Sequence, residues 1–171
     1  APLGMTHSAL NSDLSDNPWV KEQRAQLQCY TTEAVLIPNC MVYFSMYPAG
    51  MCTSTLKDFE TFGMALLNRE SPLFQDPATY DSFLEPTAYF GDTNLSLNHH
   101  GLWAIRMYDA SVIGHGGNTA GCSSYLLLDP ENGIGMTVMT NQAGEQIFNQ
   151  KMPELIFGRY QGESLDFTGY V

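Results

Sequence analysis

The spacing of apolar positions changes twice along the chain, and each change marks a different kind of element. Residues 1–52 hold irregular and short elements only. Pro2-Leu3-Gly4-Met5 is apolar and turn-like, and Asn11, Asp13, Ser15, Asp16, Asn17 and Pro18 form a polar, turn-rich segment. The mixed stretch from Trp19 to Gln28 then suits a short helix. Ala34 to Ile37 reads as a short strand stopped by Pro38-Asn39, and Met41 to Met46 is an apolar run ahead of Tyr47-Pro48-Ala49-Gly50. From Thr55 the period becomes helical. Thr55-x-x-Asp58 is a capping box, and Leu56, Phe59, Phe62, Gly63, Leu66 and Leu67 recur at helical spacing, which predicts a helix within 53–68 ending near Asn68. Residues 69–98 contain Pro72, Pro77, Pro86 and Gly91 without a sustained period and read as a long loop region with room for one short helix.

Over 99–141 the period falls to two. Trp103, Ile105 and Met107 share one face of a strand from Leu102 to Tyr108, with Arg106 and Tyr108 on the other. The chain reverses at Asp109-Ala110, returns over Ser111 to His115, and runs again over Ser123 to Leu128. Asp129-Pro130-Glu131-Asn132-Gly133 is a hairpin signal in which Asn-Gly suits positive φ, and Ile134, Met136 and Val138 alternate beyond it. Short turns between successive strands require antiparallel pairing. Residues 144–160 read as a carboxy-terminal helix that packs on one sheet face, with Pro153 kinking it or starting a second helix. The expected fold class is α/β (α+β), an antiparallel sheet flanked by helices in a single domain over 1–171.

Composition narrows the partners. The 171 residues carry a formal charge of −11, from 18 acidic and 7 basic side chains, which repels phosphate backbones and anionic lipid. Nucleic acid is not an expected partner. No apolar run reaches the roughly 20 residues that span a bilayer. The four cysteines, Cys29, Cys40, Cys52 and Cys122, lack Cys-x-x-Cys spacing; a single bridge from Cys29 to Cys40 is open, with buried free thiols the favoured state.

Candidate chemistry centres on Val112-Ile113-Gly114-His115-Gly116-Gly117-Asn118-Thr119-Ala120-Gly121, which sets an imidazole on the end of an apolar strand among glycines that let a backbone or ligand come close. A hairpin corner with an incidental histidine explains the same residues. His99 and His100 are adjacent, so on a strand they point to opposite faces, and no ligand spacing for a metal emerges. No metal and no cofactor is expected. Ser54-Thr55-Leu56-Lys57 matches Ser-x-x-Lys, in which a lysine one helical turn from a serine takes the hydroxyl proton, but Ser54 and Thr55 are accounted for by the helix start and Lys57 lies off its apolar face. This pair is read as a decoy. An anion nest at Gly116 and Gly117 has no basic residue beside it.

Gly114-His115-Gly116-Gly117-Asn118-Thr119-Ala120-Gly121-Cys122-Ser123-Ser124, followed by Leu128 to Gly135 and Thr140-Asn141, closely resembles the carboxy-terminal part of the serine β-lactamase and penicillin-binding-protein superfamily. The likeness is to its class C-like, esterase and D-aminopeptidase branch. Pro2-Leu3-Gly4-Met5, Tyr47-Pro48-Ala49-Gly50, the Ser54-Thr55-x-x-Asp58 helix start and Phe62 agree in order. The resemblance implies an active site between an antiparallel sheet and a helical region. It implies that His115-Gly116-Gly117 stands for the family's Lys-Thr-Gly in its His-x-Gly variant, with Gly116 and Gly117 lining substrate. His115 would contact substrate or help move protons, and the Asn118 backbone N–H would be an oxyanion donor.

The family's nucleophile in Ser-x-x-Lys and its Tyr-x-Asn motif precede the Pro-Leu-Gly-Met segment. This sequence opens at that segment, on Ala1, and contains no Tyr-x-Asn. The expectation is therefore a carboxy-terminal portion of a hydrolase acting on an ester, a D-amino-acid peptide or a β-lactam through an acyl-serine, inactive alone. Its expected partners are its own amino-terminal half or a second copy, and, once complete, a small acyl substrate. The alternative is a noncatalytic binding or assembly module on the same scaffold. Nothing in the chain assigns a compartment.

Overall fold

The computed structural model describes residues 2–40, 46–107, 110–142 and 151–157. Short elements open the chain: β1 (Ser8–Ala9), α1 (Pro18–Ala25), β2 (Cys29–Tyr30), β3 (Leu36–Ile37), the single turn α2 (Tyr47–Gly50) and β4 (Thr53–Ser54). Asn17 caps α1 by accepting from the Val20 N–H at 3.3 Å, and Pro18 fits the first turn because its missing N–H has no helical acceptor to satisfy. Ala9, Leu14 and Val20 bury a small cluster of their own under this segment. The predicted apolar run over 41–46 lies outside the described residues except for Met46.

The helix expected within 53–68 is α3 (Leu56–Leu67). Only half of the expected capping box forms. The Thr55 side chain accepts from the Asp58 N–H at 3.3 Å, but the reciprocal bond is absent because the Thr55 N–H donates to the His7 carbonyl where β1 and β4 pair. The Asp58 carboxylate, buried, accepts instead from the His7 N–H at 2.7 Å and the Ser8 hydroxyl at 2.8 Å. α4 (Pro77–Leu84) follows, with the Asp76 side chain accepting from the Ala78 N–H.

The remaining strands are β5 (Ala88–Tyr89), β6 (Ser96–His99), β7 (Leu102–Met107), β8 (Ala110–Thr119), β9 (Cys122–Asp129) and β10 (Ile134–Thr140). They form one sheet in the order β10-β9-β8-β7-β6-β5, an all-antiparallel meander. The sheet thus begins before residue 99. β5 and most of β6 fall in the segment read as loop, because β6 is held by β7 and β5 by β6, and not by any local period.

α5 (Met152–Phe157), with Pro153 as its second residue, completes the described chain. The remainder of the helix expected over 144–160 lies outside the described residues.

Helices cover both faces of this sheet. On one, Leu66 of α3 packs with Ile113, Leu126 and Leu128, joined by Phe59, Phe62, Phe74 and Phe83. On the other, Phe157 of α5 packs with Val112, Leu127 and Met136. Alternation along β8 and β9 sends neighbouring residues to opposite cores. Helix α3 approaches closely at two glycines: a Cβ on Gly63 would stand 3.0 Å from a Leu126 methyl, and one on Gly135 would stand 3.1 Å from a Leu67 methyl. The β9–β10 hairpin turns at Pro130 to Gly133. Gly133 alone takes positive φ (66°), while Asn132 gives its N–H and side-chain NH₂ to the buried Asp129 carboxylate.

Candidate functional site

The segment 115–119 is the distal half of β8. β7 stays in register with β8 only from Met107↔Ala110 to Trp103↔Gly114, whereas β9 follows it to Thr119↔Cys122. The two-residue turn Ala120-Gly121 then reverses the chain, with Gly121 at φ 73°. A hairpin corner and a strand end coincide here. The amino-terminal segment straps this end of the sheet: the Tyr30 N–H donates to the Asn141 carbonyl at 2.9 Å, and the Gln142 side chain donates to the Thr31 and Thr32 carbonyls at 3.1 and 3.0 Å.

Gly114 has to be glycine, since a Cβ would lie 2.2 Å from the Leu126 carbonyl oxygen, a backbone atom that cannot rotate away. His115 is exposed, and its Nδ1 is 2.7 Å from the Gly116 carbonyl oxygen. A carbonyl only accepts, so Nδ1 carries a proton, and Nε2 is the nitrogen left outside this contact.

Gly116 sits opposite Tyr125, whose ring would be 3.0 Å from a Cβ there, and Gly117 sits opposite Ser124, whose hydroxyl would also be 3.0 Å away. The Asn118 side-chain oxygen accepts from the Ser123 hydroxyl at 2.6 Å, which fixes that side chain across the strand pair. His115, Gly116, Gly117 and Asn118 are therefore consecutive on one strand end, with Tyr125, Ser124 and Ser123 against them. Tyr125 was not singled out from the sequence, and Ser123 and Ser124 entered it only through the predicted strand and the family likeness. Counting outward from the Ala120-Gly121 turn gives their pairing. Burial pushes the Tyr125 phenol above its ordinary pKa.

Ser54 and Lys57 point to different partners. The Ser54 hydroxyl meets the Ser8 hydroxyl at 2.7 Å and donates to its neighbour's carbonyl at 3.2 Å, while the exposed Lys57 ammonium pairs with Glu60 at 3.3 Å. His99 and His100 do not face opposite ways as strand neighbours would. His100 leaves the strand at φ 50°, and both rings reach the end of α4, His99 to the Leu84 carbonyl at 2.7 Å and His100 to the Ser82 carbonyl at 3.0 Å. Each ring nitrogen in those contacts carries a proton, since its partner is a carbonyl. No group of three potential metal ligands occurs among the described residues.

The cysteines also depart from the favoured free-thiol state. Cys29 and Cys40 are bridged, and Cys52, one of the two free thiols, is exposed.

A family model described as Beta-lactamase matches residues 1–159. The chain belongs to the Beta-lactamase family. Membership agrees with the mixed helix and antiparallel-sheet architecture and makes this a β-lactamase-related, hydrolase-like scaffold. No curated protein matches the chain. Among the described residues no helix is long and apolar enough to cross a membrane.

Proposed function

We propose that this Beta-lactamase-family chain supplies the sheet-side wall of an acyl-serine hydrolase site, acting on an ester, a D-amino-acid peptide or a β-lactam. In this reading His115 handles substrate or its protons, Gly116 and Gly117 line the groove, and the Asn118 N–H helps hold the oxyanion. The serine and general base come from a Ser-x-x-Lys and a Tyr-x-Asn outside these residues, so the chain alone turns over nothing.

The observation that carries the reading is the exposed His115 on the strand end, its Nδ1 proton held by the Gly116 carbonyl so that Nε2 is the nitrogen left to meet substrate. The separation of Ser54 from Lys57 supports a nucleophile elsewhere, because a hydroxyl needs its base within hydrogen-bond reach to become nucleophilic.

The test is hydrolysis of a chromogenic ester and a chromogenic cephalosporin. The substrates are offered to the chain alone and to the chain joined to whatever its gene encodes ahead of Ala1. The joined protein should be active, and His115→Ala should lower its kcat/KM by about 10²-fold or more, the size of a lost proton-transfer group. The chain alone should be inactive. Turnover by the chain alone that disappears in Ser54→Ala would overturn the reading.

A binding or assembly module on the same scaffold is the second reading. A cavity of about 510 Å³ favours it, bordered by the exposed apolar side chains of Phe90 and Leu95. A joined protein that is inactive, together with a stable oligomer of the chain by light scattering, would select it.

A further inference from the structure

Three cysteines from three parts of the chain converge where the amino-terminal strap crosses the β8–β9 turn. Cys29 on β2 is fully buried, and Cys40, just past β3, is nearly so; they form the disulfide. Cys122, the first residue of β9, keeps a free thiol whose sulfur is 3.0 Å from the Cys29 sulfur. A bridged sulfur has no hydrogen to give, so the Cys122 S–H is the donor and is aimed at the disulfide.

The contact is built into the fold and is not a chance approach of loose side chains. Gly121 precedes Cys122, and a Cβ there would stand 2.8 Å from the Cys29 Cβ and 2.8 Å from the Ile37 side chain, so the β2–β3 hairpin is seated directly on the turn. The hairpin also borders a cavity of about 340 Å³ that reaches Cys40 and is lined by Arg24, Leu36, Ile37 and Pro38. An attacking sulfur therefore lies against Cys29, and open space lies beside Cys40.

We propose that Cys29, Cys40 and Cys122 form a thiol–disulfide exchange site, in which Cys29 trades its bond to Cys40 for a bond to Cys122. The Cys122 thiolate gives its electron pair to the Cys29 sulfur. The Cys29–Cys40 bond breaks with its electrons going to Cys40, and Cys40 takes up a proton in place of the one Cys122 gave up. One disulfide and one thiol exist before and after, so no external oxidant enters the balance.

Burial works against the thiolate of Cys122, whereas the Thr119 hydroxyl and the nearby Arg24 charge favour it. The exchange changes what the disulfide holds. The Cys29–Cys40 bridge closes a separation of 11 residues within the strap, whereas a Cys29–Cys122 bridge closes one of 93 and rivets the strap to the β8–β9 hairpin that carries Asn118 and Thr119. Which of the two bridges is present would then set how firmly the amino-terminal segment is fastened beside the candidate site. Longer loops constrain the unfolded chain more, so the second bridge is the more stabilising form in the chain-entropy account.

The test uses the 171-residue chain with Cys52→Ala, which removes the exposed thiol. The protein is equilibrated in mixed reduced and oxidised glutathione, quenched in acid, alkylated and mapped by mass spectrometry after cleavage that includes Glu33, which separates Cys29 from Cys40. Two linked pairs are expected, Cys29–Cys40 and Cys29–Cys122, with Cys40 alkylated in molecules that carry the second. Adding Cys40→Ser should leave Cys29–Cys122 as the sole bridge and raise Tm above that of the Cys122→Ser form. A parent protein that shows no Cys29–Cys122 pair after equilibration, whether bridged only at Cys29–Cys40 or fully reduced, overturns the proposal.

Discussion

At Gly114 a hydrogen in place of a methyl group decides whether β8 and β9 can pair, and at Gly117 the same replacement should matter far less. The neighbour of a new Cβ at Gly114 is the Leu126 carbonyl oxygen, part of the strand ladder, with a Leu127 methyl at 2.6 Å behind it. At Gly117 it is the Ser124 hydroxyl, which can turn to another rotamer. Gly114→Ala should therefore cost about 1–3 kcal/mol, the usual penalty for overpacking, read as a lower urea midpoint, while Gly117→Ala stays close to the parent. An equal loss in both would show that the two strands move apart freely. Substitution at Gly117 is thus the cleaner probe of the proposed lining role, since its effect on turnover by the joined protein would not be confounded by folding.

α3 shows what a local signal can carry. Its start, end and apolar stripe were legible because Thr55, Asp58 and the spacing of Phe59, Phe62 and Leu66 act within a few turns of one another. The destination of the Asp58 carboxylate was not, because His7 and Ser8 lie about fifty positions away and reach it only after β1 and β4 pair. The same distinction separates the hairpins whose turns announce them, β8 to β10, from β5, β6 and the two-residue strands of the strap.

At the candidate site, the glycines and His115 stood out in the sequence. Tyr125 did not, since its position follows from register, and the sequence leaves the Cys29–Cys40 bridge open behind free thiols, since spacing alone does not decide between them. Asp58→Asn tests the long-range junction. It keeps the size of the side chain but replaces a charged acceptor of two hydrogen bonds by a neutral group, and should cost about 2 kcal/mol or more by chemical denaturation. Thr55→Ala, which removes only the cap, should cost about 1 kcal/mol. If both cost the same, the carboxylate adds nothing beyond the cap.

For the molecule as a whole, alkaline conditions should loosen the fold as its buried phenols are forced to ionise. Burial raises the phenol pKa of both Tyr80 and Tyr125; at Tyr80 the Asp81 charge adds to the effect and Arg69 opposes it. A phenol whose folded pKa lies above its unfolded value of about 10 holds its proton better when folded. Its stabilisation is complete below that pH and is lost as pH rises through the folded value. The phenol contribution to the urea midpoint should therefore hold to about pH 9 and fall beyond it, after the raised thiols of Cys52 and Cys122 have begun to lower the midpoint from about pH 8, and Tyr125→Phe should make the later fall shallower. An unchanged slope in that variant would show that Tyr125 ionises as freely folded as unfolded.

The meander order of the main sheet also has a kinetic meaning. Every strand from β5 to β10 is hydrogen-bonded to its neighbour in sequence, so hairpin can be added to hairpin with short loops to close. The contacts of the strap join positions 93 to 113 residues apart, from Cys29 to Cys122 and from Gln28 to Asn141. Such closures are slow and come after the sheet that receives them. The chain would thus assemble its main sheet early and fasten the amino-terminal strap across it late, which makes the segment holding Cys29 and Cys40 the natural timer of maturation.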